Sequence, residues 1–370
     1  MFEVPPKQYN FARDCIDRWA RQTPDALALW CVDETTHTES RFTFAGLASY
    51  SRRAAAYFHD LGLRKGDGVI LMLPRVPQFW LAISGLIRLG AVPIPSPTLL
   101  TEKDIDYRVR AASVRGIITD EAGAAKCGGF DGVKVIAGPS RPGWSDFDDG
   151  IRDARPDMEF EPTLADDPGI IYFTSGTTGL PKMALHTQVS YALAHKVTAS
   201  LWLDLRPGDV HWALADTGWA KTAWSNLFGP WQLGACVFVL DSRTKFHPAS
   251  TFRTLSHYPI TTFCAPPTAL RLLVADHDMH KYRFGHLRHC VAAGEALNAD
   301  VLGRWKQATG LDIYEGYGQT ETIVLIGNYR SLNWPIRPGS MGKPTPGFDI
   351  VLVDDNLDPV EPGTEGQIAI

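Results

Sequence analysis

Residues 172–182, which read YFTSGTTGLPK, have the side-chain types and spacing that point most directly to chemistry. The six positions 174–179 hold four hydroxyl side chains and two glycines, and Lys182 follows them. A loop with many donors and little bulk can wrap its backbone closely around an anion, and phosphate is the first candidate. The motif is not the commoner P-loop, because no glycine precedes Lys182 and Met183 follows it. A linker rich in serine and threonine is the alternative interpretation.

Two further polar segments also follow strand-like runs. The first covers residues 293–296 and the second, YGQTET, covers residues 317–322. An aromatic ring for a base, hydroxyls for phosphate and a carboxylate for a hard divalent cation together describe a site for ATP and Mg²⁺. Each segment alone is a weak signal, because a tyrosine such as Tyr317 is more often part of a core and a lone glutamate such as Glu321 is usually solvated.

The elements that must position these segments are short apolar runs alternating with helical patterns. This rhythm predicts an α/β fold with two helix-covered, mostly parallel β-sheet subdomains. The predicted strands lie in 68–73, 116–120, 133–138, 170–175, 235–240, 261–266 and 290–295. The predicted helices are 77–89, 187–203, 267–277 and 298–309. Because the phosphate motif follows an apolar run, we expect it at the carboxyl end of a strand in an open sheet.

The chain divides by composition into three parts. A polar, Asp-rich segment at 139–168 suggests a boundary between a first subdomain, 1–165, and a second, 166–334. From 335 onward, turns rich in proline and glycine separate short strands, which is typical of all-β structure. We therefore expect residues 335–370 to form the start of a small β-barrel-like subdomain.

Length, charge and cysteine content limit the class of protein. The 370 residues exceed the usual size of a single hydrophobic core, so more than one subdomain is expected. A formal net charge of -5 argues against a nucleic-acid binder. The six cysteines lie far apart, without the CxxC spacing of zinc sites or the density of a secreted disulfide scaffold. They are expected to be reduced, structural thiols.

The sequence also bears on location. Its amino terminus, MFEVPPKQYN, lacks the apolar core of a signal peptide. The most apolar region, 69–94, is interrupted by Arg75 and Arg88, which disfavours membrane insertion. These features predict a soluble, cytoplasmic protein.

Four histidines offer a possible metal motif. His277, His280, His286 and His289 form two i, i+3 pairs, but no cysteine or carboxylate pattern completes a zinc site. We expect these histidines to be solvated.

Four motifs in order, YFTSGTTGLPK, ADTGW, AAGEAL and YGQTET, resemble the adenylate-forming superfamily. Within it, the chain most resembles medium-chain and branched-chain acyl-CoA synthetases, over their large amino-terminal domain. The similarity extends over nearly all of the chain. It includes LPRVPQFWL at 73–81, DIDYR at 104–108, TTFCAPPT at 261–268 and RPGSMGKPTPG at 337–347.

The resemblance implies roles for the motif residues. Thr320 would contact the α-phosphate, Lys182 would supply positive charge to the phosphates, and Glu321 would hold Mg²⁺. Tyr317 would stack on adenine, and residues 216–219 and those that follow would border the acyl pocket. The implied nucleotide-binding residues are Thr174, Ser175, Gly176, Thr177, Thr178, Gly179, Lys182, Gly294, Glu295, Ala296, Tyr317, Gly318, Gln319 and Thr320. The implied acyl-pocket residues are Trp219, Ala220, Lys221, Trp224, Ala293 and Gly318.

The resemblance also implies a reaction. Such enzymes join a carboxylic acid to ATP as acyl-AMP, release pyrophosphate and pass the acyl group to coenzyme A. The expected partners are thus a small carboxylic acid, ATP and CoA, with Mg²⁺, and neither nucleic acid nor a membrane. In acetyl-CoA synthetases a tryptophan stands where Gly318 stands here, so we expect an open pocket and a medium-chain or short branched-chain acid.

Lys221 and the extent of the chain leave alternatives open. The Lys221 ammonium could shorten the acyl pocket, or it could pair with an acidic neighbour or a CoA phosphate and select nothing. The family's ribose-binding aspartate and small carboxyl-terminal domain are not in this sequence, so we expect reduced or no activity from these 370 residues. The alternatives to the synthetase are a nucleotide- or acyl-binding module without turnover, and adenylation with a carrier protein as acceptor. The oligomeric state stays open.

Overall fold

The computed structural model describes residues 4–175 and 179–370 of the chain. The described strands are β1 (Leu27–Asp33), β2 (Glu39–Thr43), β3 (Gly68–Met72), β4 (Val92–Pro95), β5 (Gly116–Thr119), β6 (Val133–Ile136), β7 (Ser145–Asp146), β8 (Pro168–Thr174), β9 (Lys182–Thr187), β10 (Val210–Ala213), β11 (Cys236–Asp241), β12 (Thr262–Ala265), β13 (His289–Ala293), β14 (Ile313–Tyr317), β15 (Ile326–Gly327), β16 (Lys343–Pro344), β17 (Val351–Val353) and β18 (Gln367–Ala369).

The helices lie between these strands. The α-helices are α1 (Asp17–Gln22), α2 (Phe44–Asp60), α3 (Pro77–Leu89), α4 (Glu102–Ala111), α5 (Glu121–Ala124), α6 (Phe147–Asp153), α7 (Ser190–Val197), α8 (Ala220–Ser225), α9 (Phe228–Gln232), α10 (Pro248–His257), α11 (Pro267–Ala275) and α12 (Ala299–Thr309). Short π-helical segments cover Ala12–Ile16 and Thr198–Trp202, and 3₁₀ segments cover His277–Lys281 and Arg330–Leu332.

Two helix-covered sheets confirm the predicted α/β fold. The smaller has five parallel strands in the order β4-β3-β5-β6-β7. The larger has nine strands in the order β16-β15-β14-β13-β12-β10-β11-β1-β2, and its six central strands from β14 to β1 are parallel. Because parallel strands bury both faces, they need the near-continuous apolar runs that the sequence shows.

Local signals fix several helix ends. Helix α3 begins at Pro77, which has no backbone N–H, but the first turn of a helix does not need one. The helix ends before Gly90, whose φ of 82° lies in the left-handed region. Helix α12 likewise ends before Gly310, with a φ of 75°. Arg88, which interrupts the apolar run, is buried and its guanidinium lies 2.7 Å from the Asp17 carboxylate. Its charge is therefore paired inside the core rather than exposed.

The phosphate motif lies in a different setting from the one predicted. Among the described strands, β8 and β9 pair only with each other, as an antiparallel hairpin, and β8 lies beside β4. Thr174 is thus at the end of a hairpin strand and not at the carboxyl end of a strand in an open parallel sheet. The apolar run at 170–175 has the length of a strand in either setting, so periodicity alone cannot distinguish them.

The larger sheet also draws on the amino-terminal part of the chain. Strands β1 and β2 belong to the predicted first subdomain, but β1 pairs with β11 and β2 with β1. Strand β16, beyond position 335, pairs with β15. The three-part division stays a prediction, and the larger sheet spans both of its proposed boundaries.

Candidate active site

A crevice opens where the chain leaves the parallel strands of the larger sheet. The carboxyl ends of β10, β12, β13 and β14 lie along the same edge because these strands are parallel neighbours. Helix α8, which follows β10, packs into the core between the two sheets, whereas α10, α11 and α12 pack against the opposite face. Connections that diverge to opposite faces leave a crevice at the sheet edge, which is the usual ligand position in such folds.

The hairpin of β8 and β9 approaches this edge of the sheet. Thr174 pairs with Lys182 at the loop end of the ladder, and the side chains of Ser175 and Lys182 are exposed. Gly179 has a φ of 94°, a left-handed conformation that favours glycine. The Tyr107 hydroxyl donates a hydrogen bond of 2.8 Å to the carbonyl of Pro181, which holds the hairpin to α4. The predicted phosphate ligands Gly176, Thr177 and Thr178 lie outside the described residues.

One hydrogen bond brings the hairpin to the third motif. The His186 Nε2 atom, on β9, lies 2.8 Å from the carbonyl oxygen of Thr320. A carbonyl can only accept, so this ring nitrogen must bear the proton. Burial lowers the pKa of His186, although the bond to Thr320 acts in the opposite direction. The ring is therefore neutral near pH 7 and fixed in one tautomer.

Residues 317–322 follow β14 as a compact turn. The Gln319 side-chain amide donates to the Tyr317 hydroxyl over 3.2 Å, and the backbone N–H of Gln319 donates to the hydroxyl of Thr322 over 2.9 Å. Tyr317 is partly exposed, and Glu321 is exposed. The turn therefore presents an aromatic ring, a hydroxyl at Thr320 and a carboxylate near the hairpin.

The loop after β13 presents backbone rather than side chain. Gly294 has a φ of 110°, which a residue with a Cβ rarely adopts. The Glu295 carboxylate accepts hydrogen bonds from the Thr268 hydroxyl and from Arg271, the latter at 2.9 Å, and both donors are on α11. The Thr268 bond, followed by that of Arg271, lowers the pKa of Glu295. With this side chain held by α11, the backbone of 294–296 is what borders the crevice.

Glu315 is a buried acid next to the candidate site that the sequence motifs did not indicate. It is buried on β14, two positions before Tyr317, and alternation along a strand puts both on the same face. Its Oε1 accepts from the backbone N–H of Leu297 over 3.1 Å, and its Oε2 has no hydrogen-bond partner among the described residues. Burial raises the pKa of this carboxyl group. The sequence alone does not show that this carboxyl group is buried, so it offered no signal for Glu315.

Lys221 joins the predicted acyl pocket to the loop after β13. Its ammonium group, on α8, donates to the backbone carbonyl of Ala293 over 3.0 Å. The structure therefore pairs this lysine with a backbone oxygen, and not with the acidic neighbour that the sequence suggested as one alternative. Ala220 is buried at the start of the same helix, and Trp219 before it is 57% exposed.

Gly318 does not leave empty space. A Cβ atom added to it would lie 2.5 Å from Cη2 of Trp224, and closer still to the carbonyl oxygen of Ile323. Trp224 is only 6% exposed and its ring fills the space beside Gly318. The tryptophan wall expected to be absent at position 318 is thus replaced by one from α8.

The four histidines of the possible metal motif differ in their solvent exposure. His277, His280 and His286 are exposed, as expected, but the prediction is wrong for His289, which is 1% exposed on β13. Its Nε2 lies 2.7 Å from the carbonyl of Trp202. No group of three or more histidine, cysteine or acidic side chains in the described residues could hold a metal ion. All six cysteines are buried free thiols.

No helix in the described part of the chain is long and apolar enough to cross a membrane.

Comparison with known proteins reveals extensive similarity. The family model "AMP-binding enzyme" matches residues 16–370. "Acyl-coenzyme A synthetase ACSM3, mitochondrial" of Homo sapiens is 44% identical over 99% of this chain and 64% of its own length. "Acyl-coenzyme A synthetase ACSM5, mitochondrial" of Rattus norvegicus is 43% identical over the same shares. The chain thus spans 64% of the length of these curated relatives.

Solved structures show the same relationship. A Brucella canis acyl-CoA synthetase aligns with a TM-score of 0.91 and 28% identity, covering 99% of this chain and 67% of that one. The anthranilate CoA ligase AuaEII, in complex with anthranoyl-AMP, aligns with a TM-score of 0.89 and 28% identity, covering 98% and 69%.

These comparisons also correct one prediction. The related synthetases are named as mitochondrial proteins, which contradicts the cytoplasmic location expected from the amino-terminal sequence. The absence of a secretory signal pattern could not discriminate among compartments inside the cell. The match of the family model over residues 16–370 shows that the chain belongs to the AMP-binding enzyme family.

Proposed function

We propose that this chain binds ATP and a carboxylic acid and forms the acyl-adenylate site of an AMP-forming acyl-CoA synthetase. The observation that supports this most is the convergence of three separate segments at one crevice. The bond from His186 to Thr320 ties the hairpin to the turn after β14, and the bond from Lys221 to Ala293 ties α8 to the loop after β13.

The adenine of ATP would lie between the Tyr317 ring and the backbone of residues 294–296. A stacked ring provides apolar contact without selecting a base, so selection needs a hydrogen-bonding group. Glu315 lies on the same face of β14 as Tyr317, but its Oε2 atom, which has no partner in the described part of the chain, is buried. The backbone groups of residues 294–296 would therefore supply the hydrogen bonds to the base.

The triphosphate would lie along the hairpin. Thr174, Ser175, Gly176, Thr177, Thr178 and Gly179 would supply hydroxyl and backbone donors, as their sequence suggests. Lys182 is exposed and pairs with Thr174, so its ammonium group would add a positive charge beside the phosphates. Thr320 would contact the α-phosphate. Two anions must meet in adenylation, so such donors are needed to offset their repulsion.

Glu321 fits a role in holding Mg²⁺. Its carboxylate is exposed and makes no hydrogen bond to the described residues, so it is free to coordinate. Mg²⁺ commonly binds through one or two carboxylates together with phosphates and water, and a site of this kind needs no larger acidic cluster. When bound, the ion would neutralise charge on the phosphates.

The chemistry would proceed in two steps. A carboxylate oxygen of the acid attacks the α-phosphorus of ATP, forming an acyl–phosphate bond as the bond to pyrophosphate breaks. The coenzyme A thiolate then attacks the acyl carbon, and AMP leaves with the electron pair of the broken bond. This chain's residues would hold the carboxylate near the α-phosphate and keep water from it. We propose coenzyme A as the acceptor and a medium-chain or short branched acid as substrate.

The acyl pocket would begin between Lys221, Ala293 and Gly318, with Trp224 as its wall. The Trp224 ring beside Gly318 limits the depth of the pocket in that direction. Trp219, which is exposed, would border the pocket entrance, and the buried Ala220 would line the pocket behind it.

Isotope exchange between ATP and pyrophosphate tests this proposal. Octanoate, butyrate and 2-methylbutyrate would each be supplied to this chain and to any longer natural form of the protein. Exchange that depends on the acid supports adenylation. Binding of ATP without exchange in any form would instead support a binding module. Exchange followed by thioester formation only on a carrier protein would overturn coenzyme A as the acceptor.

A further inference from the structure

Three buried side chains connect the predicted acyl pocket to the phosphate-contacting turn. The Trp224 indole N–H donates to the Tyr191 hydroxyl over 2.6 Å. The Tyr191 ring stacks on His186, with centroids 3.8 Å apart and planes inclined by 11°. His186 in turn donates to the Thr320 carbonyl over 2.8 Å. We call His186, Tyr191 and Trp224 the aromatic bridge.

The aromatic bridge contacts the turn after β14 at a second point. The Trp224 ring also lies against Gly318, two residues before Thr320. The same turn is therefore contacted from one side by Trp224 directly and from the other through Tyr191 and His186. Trp224 cannot shift without either losing its bond to Tyr191 or changing its contact with Gly318.

Burial makes these contacts restrictive. His186, Tyr191 and Trp224 are 8%, 1% and 6% exposed. Interiors are close-packed, so a displaced ring has little room to relax, and an indole N–H without a partner there is costly. Because Tyr191 is almost fully enclosed, neither ATP nor the acid can touch it. Any effect of Tyr191 on ligand binding must pass through its neighbours.

We propose that the aromatic bridge is a positioning device that sets the place of the Thr320 backbone according to the packing of the acyl-pocket wall at Trp224. His186 is its positioning residue on the nucleotide side. Two sites linked through a shared set of contacts have a measurable coupling free energy. This inference rests on the proposed function, because it assumes that Thr320 contacts ATP and that Trp224 faces the acyl group.

The test measures the dissociation constant of ATP with Mg²⁺ by calorimetry. His186→Leu removes the donor to Thr320 and should weaken ATP binding about tenfold, the loss expected for a buried hydrogen bond. His186→Gln keeps an N–H donor and should bind within about threefold of the parent. Tyr191→Phe removes only the acceptor for Trp224 and should weaken binding about threefold.

The double variant separates positioning from general loosening. If Tyr191 acts on ATP through His186, then Tyr191→Phe should add less than about twofold in the His186→Leu background. Independent, multiplicative effects would overturn the proposal, and so would unchanged ATP affinity in His186→Leu. Tyr50→Phe, at an exposed tyrosine elsewhere, is the matched control and should leave the affinity unchanged.

A variant that does not fold and a parent chain that binds no ATP have different consequences for the proposal. If His186→Leu does not fold, Tyr191→Phe and Trp224→Phe replace it, because each removes the hydrogen bond between Trp224 and Tyr191. The double variant should then bind ATP no more weakly than the single variant with the lower affinity. A parent chain that binds no ATP would overturn the proposed function and this inference together. A parent that binds ATP, with variants that behave independently, would overturn this inference alone.

Discussion

The hairpin and the edge of the larger sheet form the two sides of the candidate site in different ways. The sheet edge is built from buried parallel strands whose packing fixes where β10, β13 and β14 end. The hairpin is a separate pair of strands that packs into the core through Ile170 and Tyr172 of β8. Its loop end presents the exposed side chains of Ser175 and Lys182 and is held by hydrogen bonds at Pro181 and His186. We therefore expect changes on the sheet side to act through packing and stability, and changes on the phosphate side to act through charge.

Acid should weaken the sheet side most. Burial lowers the pKa of His211, on β10, to about 3 and that of His289, on β13, to about 4. An unfolded histidine has a pKa of about 6.5, so the unfolded state takes up protons that the folded state excludes. Stability should fall as pH drops below about 6.5, by about 1.4 kcal/mol per pH unit for each histidine. His211 and His289 should therefore contribute a loss of about 4 kcal/mol in urea unfolding between pH 7 and pH 5. Burial also lowers the pKa of His186 and of His195, so both should add to this loss.

The control for acid sensitivity uses exposed histidines. His277→Asn together with His280→Asn should leave the pH slope unchanged, because both side chains already meet water. His289→Asn should reduce the pH dependence of the free energy of unfolding by the contribution of one histidine, about 1.4 kcal/mol per pH unit. A free energy of unfolding that does not change from pH 7 to pH 5 would contradict the assignment.

On the phosphate side, Glu321→Gln should reduce exchange between ATP and pyrophosphate about a hundredfold or more. The change removes one negative charge from the proposed Mg²⁺ ligand, and losing an electrostatic contact to the reacting groups typically costs this much. Folding should be unaffected, because the side chain is exposed. Glu361→Gln, at another exposed glutamate, is the control, and equal activity of the two variants would exclude a metal role for Glu321.

Gly318→Ala should destabilise the protein by about 1–3 kcal/mol through overpacking. The added methyl group would meet the Trp224 ring and the carbonyl of Ile323. Gly303 lies within α12 with no atom within 4 Å of an added Cβ, so Gly303→Ala should be neutral or stabilise by up to about 1 kcal/mol. Chemical denaturation of both variants measures the difference, and equal stability would mean that Trp224 does not fill the space beside Gly318.

The smallest expected effect is at Lys221, a charged residue that borders the predicted acyl pocket. Lys221→Leu removes the bond to Ala293 and adds apolar surface beside the predicted pocket. Each further buried methylene contributes about 0.8 kcal/mol, so we expect the preference among acids of four to ten carbons to shift towards longer chains by about fourfold per methylene. An unchanged preference, measured as kcat/KM for each acid, would show that Lys221 only tethers the loop and selects nothing.

The parts of the fold that could be predicted are those with strong local signals. Helix α3 occupies the predicted residues 77–89, because a proline and a left-handed glycine mark its ends. The order of motifs also predicted the convergence of 293–296 and 317–322, since both follow parallel strands. Strand β8 was assigned to the wrong kind of sheet, because an apolar run does not indicate its partner.

Side-chain environments were less predictable than strands. The Trp224 ring beside Gly318 comes from a residue 94 positions earlier in the chain, and no local pattern reports such a contact. His289 looked like one of a polar set but is the first residue of β13, where the strand faces the core. Glu315 was overlooked because a buried acid becomes visible only when its surroundings are known.

The central claim is that the hairpin, the loop after β13 and the turn after β14 form one nucleotide site. A crystal structure of the chain with ATP and Mg²⁺ tests it most directly. The account predicts adenine against Tyr317, Mg²⁺ on Glu321 and the triphosphate within hydrogen-bonding distance of Ser175, Lys182 and Thr320. A nucleotide bound elsewhere, or bound at Tyr317 with the hairpin turned away from its phosphates, would contradict it.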